Sequence, residues 1–141
     1  MLDFLRRRGE AARPVCASAD LPERGDATLF EVRNAGEVVT AFALRFDGRV
    51  VAYLNRCAHM PAEMDWQPGK FLDAEREHII CSMHGATYEP RHGHCVAGPC
   101  RGARLVPVEV RESGGQVYWY PSRDIRPVFD DPAGRATESP P

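Results

Sequence analysis

Two short segments, Cys57-Ala58-His59 and Cys81-Ser82-Met83-His84, constrain this chain more than any other feature, because each offers one thiol and one imidazole within three or four residues. Cysteine and histidine placed together twice imply two loops that must converge on one point. The fold must therefore bring residues about 25 positions apart side by side. A structural zinc finger pairs two cysteines at close spacing and then two histidines. Here the two ligand types alternate, and Cys-x-His is too tight for that arrangement, so the order argues against zinc. A binuclear iron-sulfur core with two cysteines on one iron and two histidines on the other needs two such loops.

The rest of the chain supplies strands rather than helices. Thr28 to Arg33, Val38 to Phe46 and Arg49 to Asn55 are rich in β-branched and aromatic residues, and Asp47-Gly48 is a strong hairpin turn. His78 to Cys81, Thr87 to Glu89, Arg104 to Arg111 and Gln116 to Tyr120 repeat the pattern, the last two joined by Glu112-Ser113-Gly114-Gly115. No window holds a helical period. Short strands with frequent turns predict an antiparallel all-β sandwich or barrel-like fold. Three units are expected: an N-terminal extension over 1–27, a folded domain over 28–120 and a proline-rich tail over 121–141. Pro14 to Ala17 is expected as an edge strand, and Ile125, Val128 and Phe129 are expected to hold the tail against a surface.

At the two Cys/His loops the chain resembles the Rieske family, whose motif is C-x-H, a spacer, then C-x-x-H-G. The resemblance runs from Val38 to Tyr120. It includes Gly85-Ala86-Thr87-Tyr88 and the stretch Gly93 to Pro99, similar to the family's G-x-C-x-x-G-P return strand and proline-bearing third loop. The resemblance implies an antiparallel Rieske iron-sulfur fold with a small cluster-binding subdomain, and a [2Fe-2S] cluster held by Cys57, His59, Cys81 and His84. One departure is plain. Twenty-one residues separate His59 from Cys81, with the excess in Asp65 to Lys70 and Glu75 to Glu77.

Two thiolates in place of four leave the oxidised cluster formally near zero rather than about −2, which makes an added electron easier to hold. In the quinol-oxidising members of the family a serine and a tyrosine hydrogen-bond the cluster sulfurs and a disulfide joins the two loops. Here those positions are Ala86, Tyr88, and the pair Ala62 and Met83. The resemblance is thus to the soluble, low-potential ferredoxin type, without the interloop disulfide. It implies an electron carrier rather than an enzyme, with a flavin-containing reductase and a terminal oxygenase as partners. The competing reading is a small or regulatory subunit of a larger oxidoreductase, such as a nitrite-reductase-like complex.

The other chemistry-bearing residues carry simpler expectations. Cys16, Cys95 and Cys100 are expected as free thiols packed like small apolar residues. His78, His92 and His94 are expected at the surface, and Met60, Pro61, Met83 and Pro99 as an apolar shield around the loops. Asp73, Glu75 and Glu77 are either a solvated turn or a docking patch for a basic partner. Eighteen basic against twenty acidic residues give a net charge of −2, too balanced for a nucleic-acid partner. No stretch reaches the length of a membrane span, and the basic run Arg6-Arg7-Arg8 is followed by Gly9 to Pro14 rather than an apolar region. The chain is therefore expected in the cytoplasm.

Overall fold

The protein is seen in a computed structural model that describes residues 11–58, 62–82, 85–99 and 102–128. Among these residues ten strands run in the order β1 (Arg13–Ala17), β2 (Thr28–Asn34), β3 (Glu37–Phe46), β4 (Arg49–Leu54), β5 (Ile79–Ile80), β6 (Thr87–Tyr88), β7 (Cys95–Ala97), β8 (Glu109–Ser113), β9 (Gln116–Tyr120) and β10 (Ile125–Arg126). The one helical element among the described residues is a 3-10 turn at Ser18–Asp20, so no helix there is long and apolar enough to cross a membrane. The strands form three antiparallel sheets, ordered β10-β2-β3-β4, β1-β9-β8 and β5-β6-β7. This is the all-β, antiparallel architecture expected from the sequence.

The long apolar runs of β3 and β4 have a geometric cause. Successive side chains of a strand point to opposite faces, and here both faces are covered. Phe42, Leu44 and Phe46 of β3, with Val51 and Tyr53 of β4, enter one core beneath the two Cys/His loops. Ala41, Ala43, Ala52 and Leu54 enter a second core, closed by Val117 and Trp119 of β9 and by Val108. The four-stranded sheet is thus a wall between a base and a loop-bearing subdomain. In the upper core Phe42 stacks on Phe71 with centroids 3.8 Å apart, and aromatic packing of this kind adds about 1 kcal/mol beyond area burial.

The turns follow their residues. Asp47 and Gly48 both have positive φ (56° and 77°), the two-residue hairpin geometry that Asp-Gly favours. The strand expected over Arg104 to Arg111 begins only at Glu109. Before it, single bridges join Arg104 to His94 and Pro107 to Tyr53; Pro107 has no N–H to continue a ladder. The expected edge strand at Pro14 is β1, which pairs with β9. Arg45 fastens the following turn: its guanidinium donates to Leu21 O and Ser18 O and to both carboxylate oxygens of Glu112. That pairing pulls the Glu112 carboxyl down to about 2. At the other end Ile125, buried, pairs with Asn34 through β10. Phe129 lies outside the described residues.

Candidate metal centre

Cys57 follows the end of β4 and Cys81 the end of β5, so each ligand-bearing loop departs from a strand of fixed register. Both cysteines are buried, 4% and 0% exposed, in the same core. The first loop is closed by Cys57 N–H donating to Ala62 O (2.9 Å), the second by Cys81 N–H to Ala86 O and Gly85 N–H to Cys81 O (2.8 Å each). A direct backbone bond, Ser82 N–H to Met64 O (3.0 Å), ties the second loop to the segment that leaves the first.

Tyr88 is the centre of this arrangement. Its side chain is fully buried, its hydroxyl accepts from Ala58 N–H at 2.9 Å, and it lies 3.5 Å from Cys57 Sγ. Burial pushes its phenol well above the usual range, and the neighbouring Cys57 and Cys81 push in the same direction. The phenol therefore keeps its proton at neutral pH and can donate it to a thiolate.

Asn55, the one buried polar side chain of the described core, braces the first loop from below. Its Oδ1 accepts from Met64 N–H, and its Nδ2 donates to Asp65 Oδ1 (2.8 Å), while Asp65 Oδ2 accepts from Gly69 N–H. The sequence reading missed Asn55, Met64 and Asp65, which belong to no spacing motif. The sole signal was an asparagine ending an apolar strand.

The third loop, after β7, covers the second. A side chain on Gly98, whose φ is +92°, would come within 2.9 Å of both Ala86 Cα and Gly85 O. Only glycine permits that approach. Ala86 beneath it is fully buried.

His59 and His84, with Met60, Pro61, Met83 and Cys100, lie outside the described residues. Accordingly, no group of three metal-binding side chains assembles among the described residues. Two cysteines buried in one core, each in a loop whose motif supplies a histidine, fit an iron-sulfur core with two thiolate ligands.

One expectation is corrected. Cys95 is not a free thiol but disulfide-bonded. The chain doubles back after β7, with Cys95 N–H donating to Ala103 O (2.8 Å). Cys16 is free and half-buried as expected, its thiol raised by burial. His92 and His94 are exposed, at 71% and 59% of their side chains, and His78 is half-buried. Of the acidic cluster, Asp73 accepts from Glu77 N–H and His78 N–H, and Glu77 pairs with Arg24. These two carboxylates are engaged in holding their own turn.

A family model described as the Rieske [2Fe-2S] domain matches residues 11–118. No curated protein matches the chain. Among solved structures, the ferredoxin of carbazole 1,9a-dioxygenase from Nocardioides aromaticivorans IC177 superposes with a TM-score of 0.61 at 24% identity, covering 79% of this chain and 99% of that one. A complex of reduced oxygenase and oxidised ferredoxin in carbazole 1,9a-dioxygenase gives 0.58 at 23% identity, over 77% and 92%. The terminal oxygenase of carbazole 1,9a-dioxygenase from Novosphingobium sp. KA1 gives 0.59 at 25% identity, over 84% of this chain and 31% of that one.

Proposed function

This chain belongs to the Rieske [2Fe-2S] domain family, and from that premise we propose that it is a one-electron carrier, not itself an enzyme, passing electrons from a flavin-containing reductase to a terminal oxygenase. The observation that carries the reading is the burial of Cys57 and Cys81 together beneath the Tyr88 hydroxyl, each heading a loop whose motif contains a histidine. Similarity to a ferredoxin whose whole length it spans supports the assignment. Cys57 and Cys81 would hold one iron, His59 and His84 the other. Bound there, a [2Fe-2S] cluster supplies one reversibly held electron.

The chain's own residues set the conditions for that electron. The upper core around Cys57 and Cys81 keeps water from the thiolates, the Gly98 loop closes over the second loop, and Tyr88 O–H stands ready to donate to Cys57 Sγ. These are the levers of burial and hydrogen bonding that tune such centres. The purified protein is expected to be reddish-brown, with about two irons and two acid-labile sulfides per chain. Stoichiometric zinc in a colourless preparation would overturn the assignment.

Tyr88→Phe tests the tuning. A hydrogen bond to the thiolate favours the reduced, more negative state, so its loss lowers the potential. A differential of about 1 kcal/mol, at about 59 mV per tenfold change for one electron, corresponds to a fall of about 40 mV. Protein-film voltammetry reads it directly, and an unchanged potential would show that the 3.5 Å contact does not reach the thiolate.

A further inference from the structure

The pairing between β4 and the segment that precedes β8 stops short. Leu54 N–H donates to Val106 O and Val108 N–H to Ala52 O (2.9 Å each), and Tyr53 bridges Pro107 between them. The same register would set Val50 opposite Val110, but β8 turns to pair with β9 and lies in another sheet. Where the two strands part, a cleft of about 390 Å³ opens, a size within the range of small-molecule sites. Val50, Val108 and Val110 give it an apolar lining, and Arg49, Arg91, Arg104 and His92 a basic one. Among the described residues no Asp or Glu lines it, and none of its lining belongs to the loops that carry Cys57 and Cys81.

The walls of the cleft are fixed. Tyr53 O–H donates to Pro90 O (2.6 Å), and the Glu89 carboxylate accepts from Arg91 N–H and His92 N–H, so the turn that carries Arg91 and His92 is held on both sides. Gly93 packs so closely on Tyr53 that a side chain there would meet its ring at 2.7 Å. Arg104 Nη2 donates to His92 O (2.9 Å), and the Arg91 guanidinium lies 5.4 Å from the centre of the Phe46 ring. The charge around the cleft is less well matched. Asp47 divides its carboxylate between Arg24 and Arg91, Glu89 faces His92 and His94, and Glu109 pairs with Arg111. Arg49 and Arg104 have no carboxylate partner among the described residues. Guanidiniums gathered at a concave surface raise the local concentration of anions, and their forks match a carboxylate or a phosphate with two parallel bonds. Little freedom remains to be lost when such a group binds.

We propose that this cleft binds a small organic anion, its charged head between Arg49 and Arg104 with Arg91 beside it, and its apolar body against Val50, Val108 and Val110. A carboxylate or a phosphate head satisfies the forks, and the valines favour a ligand that brings apolar surface with it. The site lies apart from the cysteine loops and stands independently of the electron-carrier reading.

Isothermal titration calorimetry on the holoprotein at low salt tests it, with benzoate and phenyl phosphate as probes that share a body and differ in the head. Saturable one-to-one binding of at least one is expected. Inorganic phosphate, a head without a body, and benzyl alcohol, a body without a charge, should each bind at least about tenfold more weakly. Arg104→Ala and Arg49→Gln should each weaken the bound probe about tenfold or more, the loss of a hydrogen bond to a charged group. Arg49 has no hydrogen-bonding or ionic partner among the described residues, so Arg49→Gln should keep the melting temperature and the cluster absorbance of the wild type. Arg123→Gln, at an arginine that lines a different cleft, should change nothing. Absence of saturable binding by both probes, binding that Arg49→Gln leaves intact, or an equal loss in Arg123→Gln would overturn the proposal. Inorganic phosphate binding as tightly as phenyl phosphate would overturn the organic ligand, because the valines would then take no part.

Discussion

Replacing Cys57 or Cys81 by alanine is expected to yield a colourless protein without iron or labile sulfide. Each cysteine is buried in the upper core, and each loop departs from a strand end that cannot shift to offer a substitute. Metal affinity in such sites is coupled to loop geometry, so losing one ligand costs assembly rather than a fraction of it. Strand content should survive, because the second core, built on Val32, Leu54, Val117 and Trp119, contains neither cysteine. Cys16→Ser, in β1 at the far side of that core, should keep full iron. Iron and sulfide assays with circular dichroism on the same samples separate loss of cluster from loss of fold. Full iron in Cys81→Ala would sink the ligand assignment.

Gly98→Ala is the second large effect expected, and it needs no change at any ligand. Alanine at φ +92° costs about 1 to 2 kcal/mol of backbone strain. Its methyl would also sit 2.9 Å from Ala86 Cα and Gly85 O, backbone atoms that cannot rotate away, and forcing such a contact adds about 1 to 3 kcal/mol. A total near 3 kcal/mol lowers the melting temperature by about 10 °C for a chain of this size. Loss of visible absorbance should be faster than in the wild type as well. Gly102→Ala is the control: its φ is +93°, with no atom within 4 Å of an added side chain, so it carries the strain without the collision. Equal losses in the two variants would show that the third loop does not press on the second.

What could be read in the sequence follows from the kind of physics each residue reports. β2, β3, β4 and β9 were legible because alternation and β-branching are local, and Asp47-Gly48 because its turn type is a property of two residues. Cys57 and Cys81 were singled out by their spacing from His59 and His84, and the structure buries both in one core. Asn55 and Asp65 were not, since their bond spans ten positions with no periodicity, and nothing local distinguishes a buried asparagine from a loop one. Pro107 hid inside an apparently continuous strand. Cys95 was misread because spacing alone does not distinguish a packed thiol from a disulfide-bonded one. The acidic turn looked like a charged surface until Asp73 and Glu77 were seen satisfying backbone N–H groups and Arg24.

The tie between the first and second loops is made from a main-chain carbonyl, Met64 O, and a main-chain amide, Ser82 N–H. A peptide group cannot be reduced, alkylated or exchanged with glutathione. A sulfur–sulfur tie at the same place would compete for the electrons the molecule carries and would answer to the thiol balance around it. Because this tie is amide rather than sulfur, a strong reductant can fill the centre without breaking it, whatever becomes of the disulfide at Cys95.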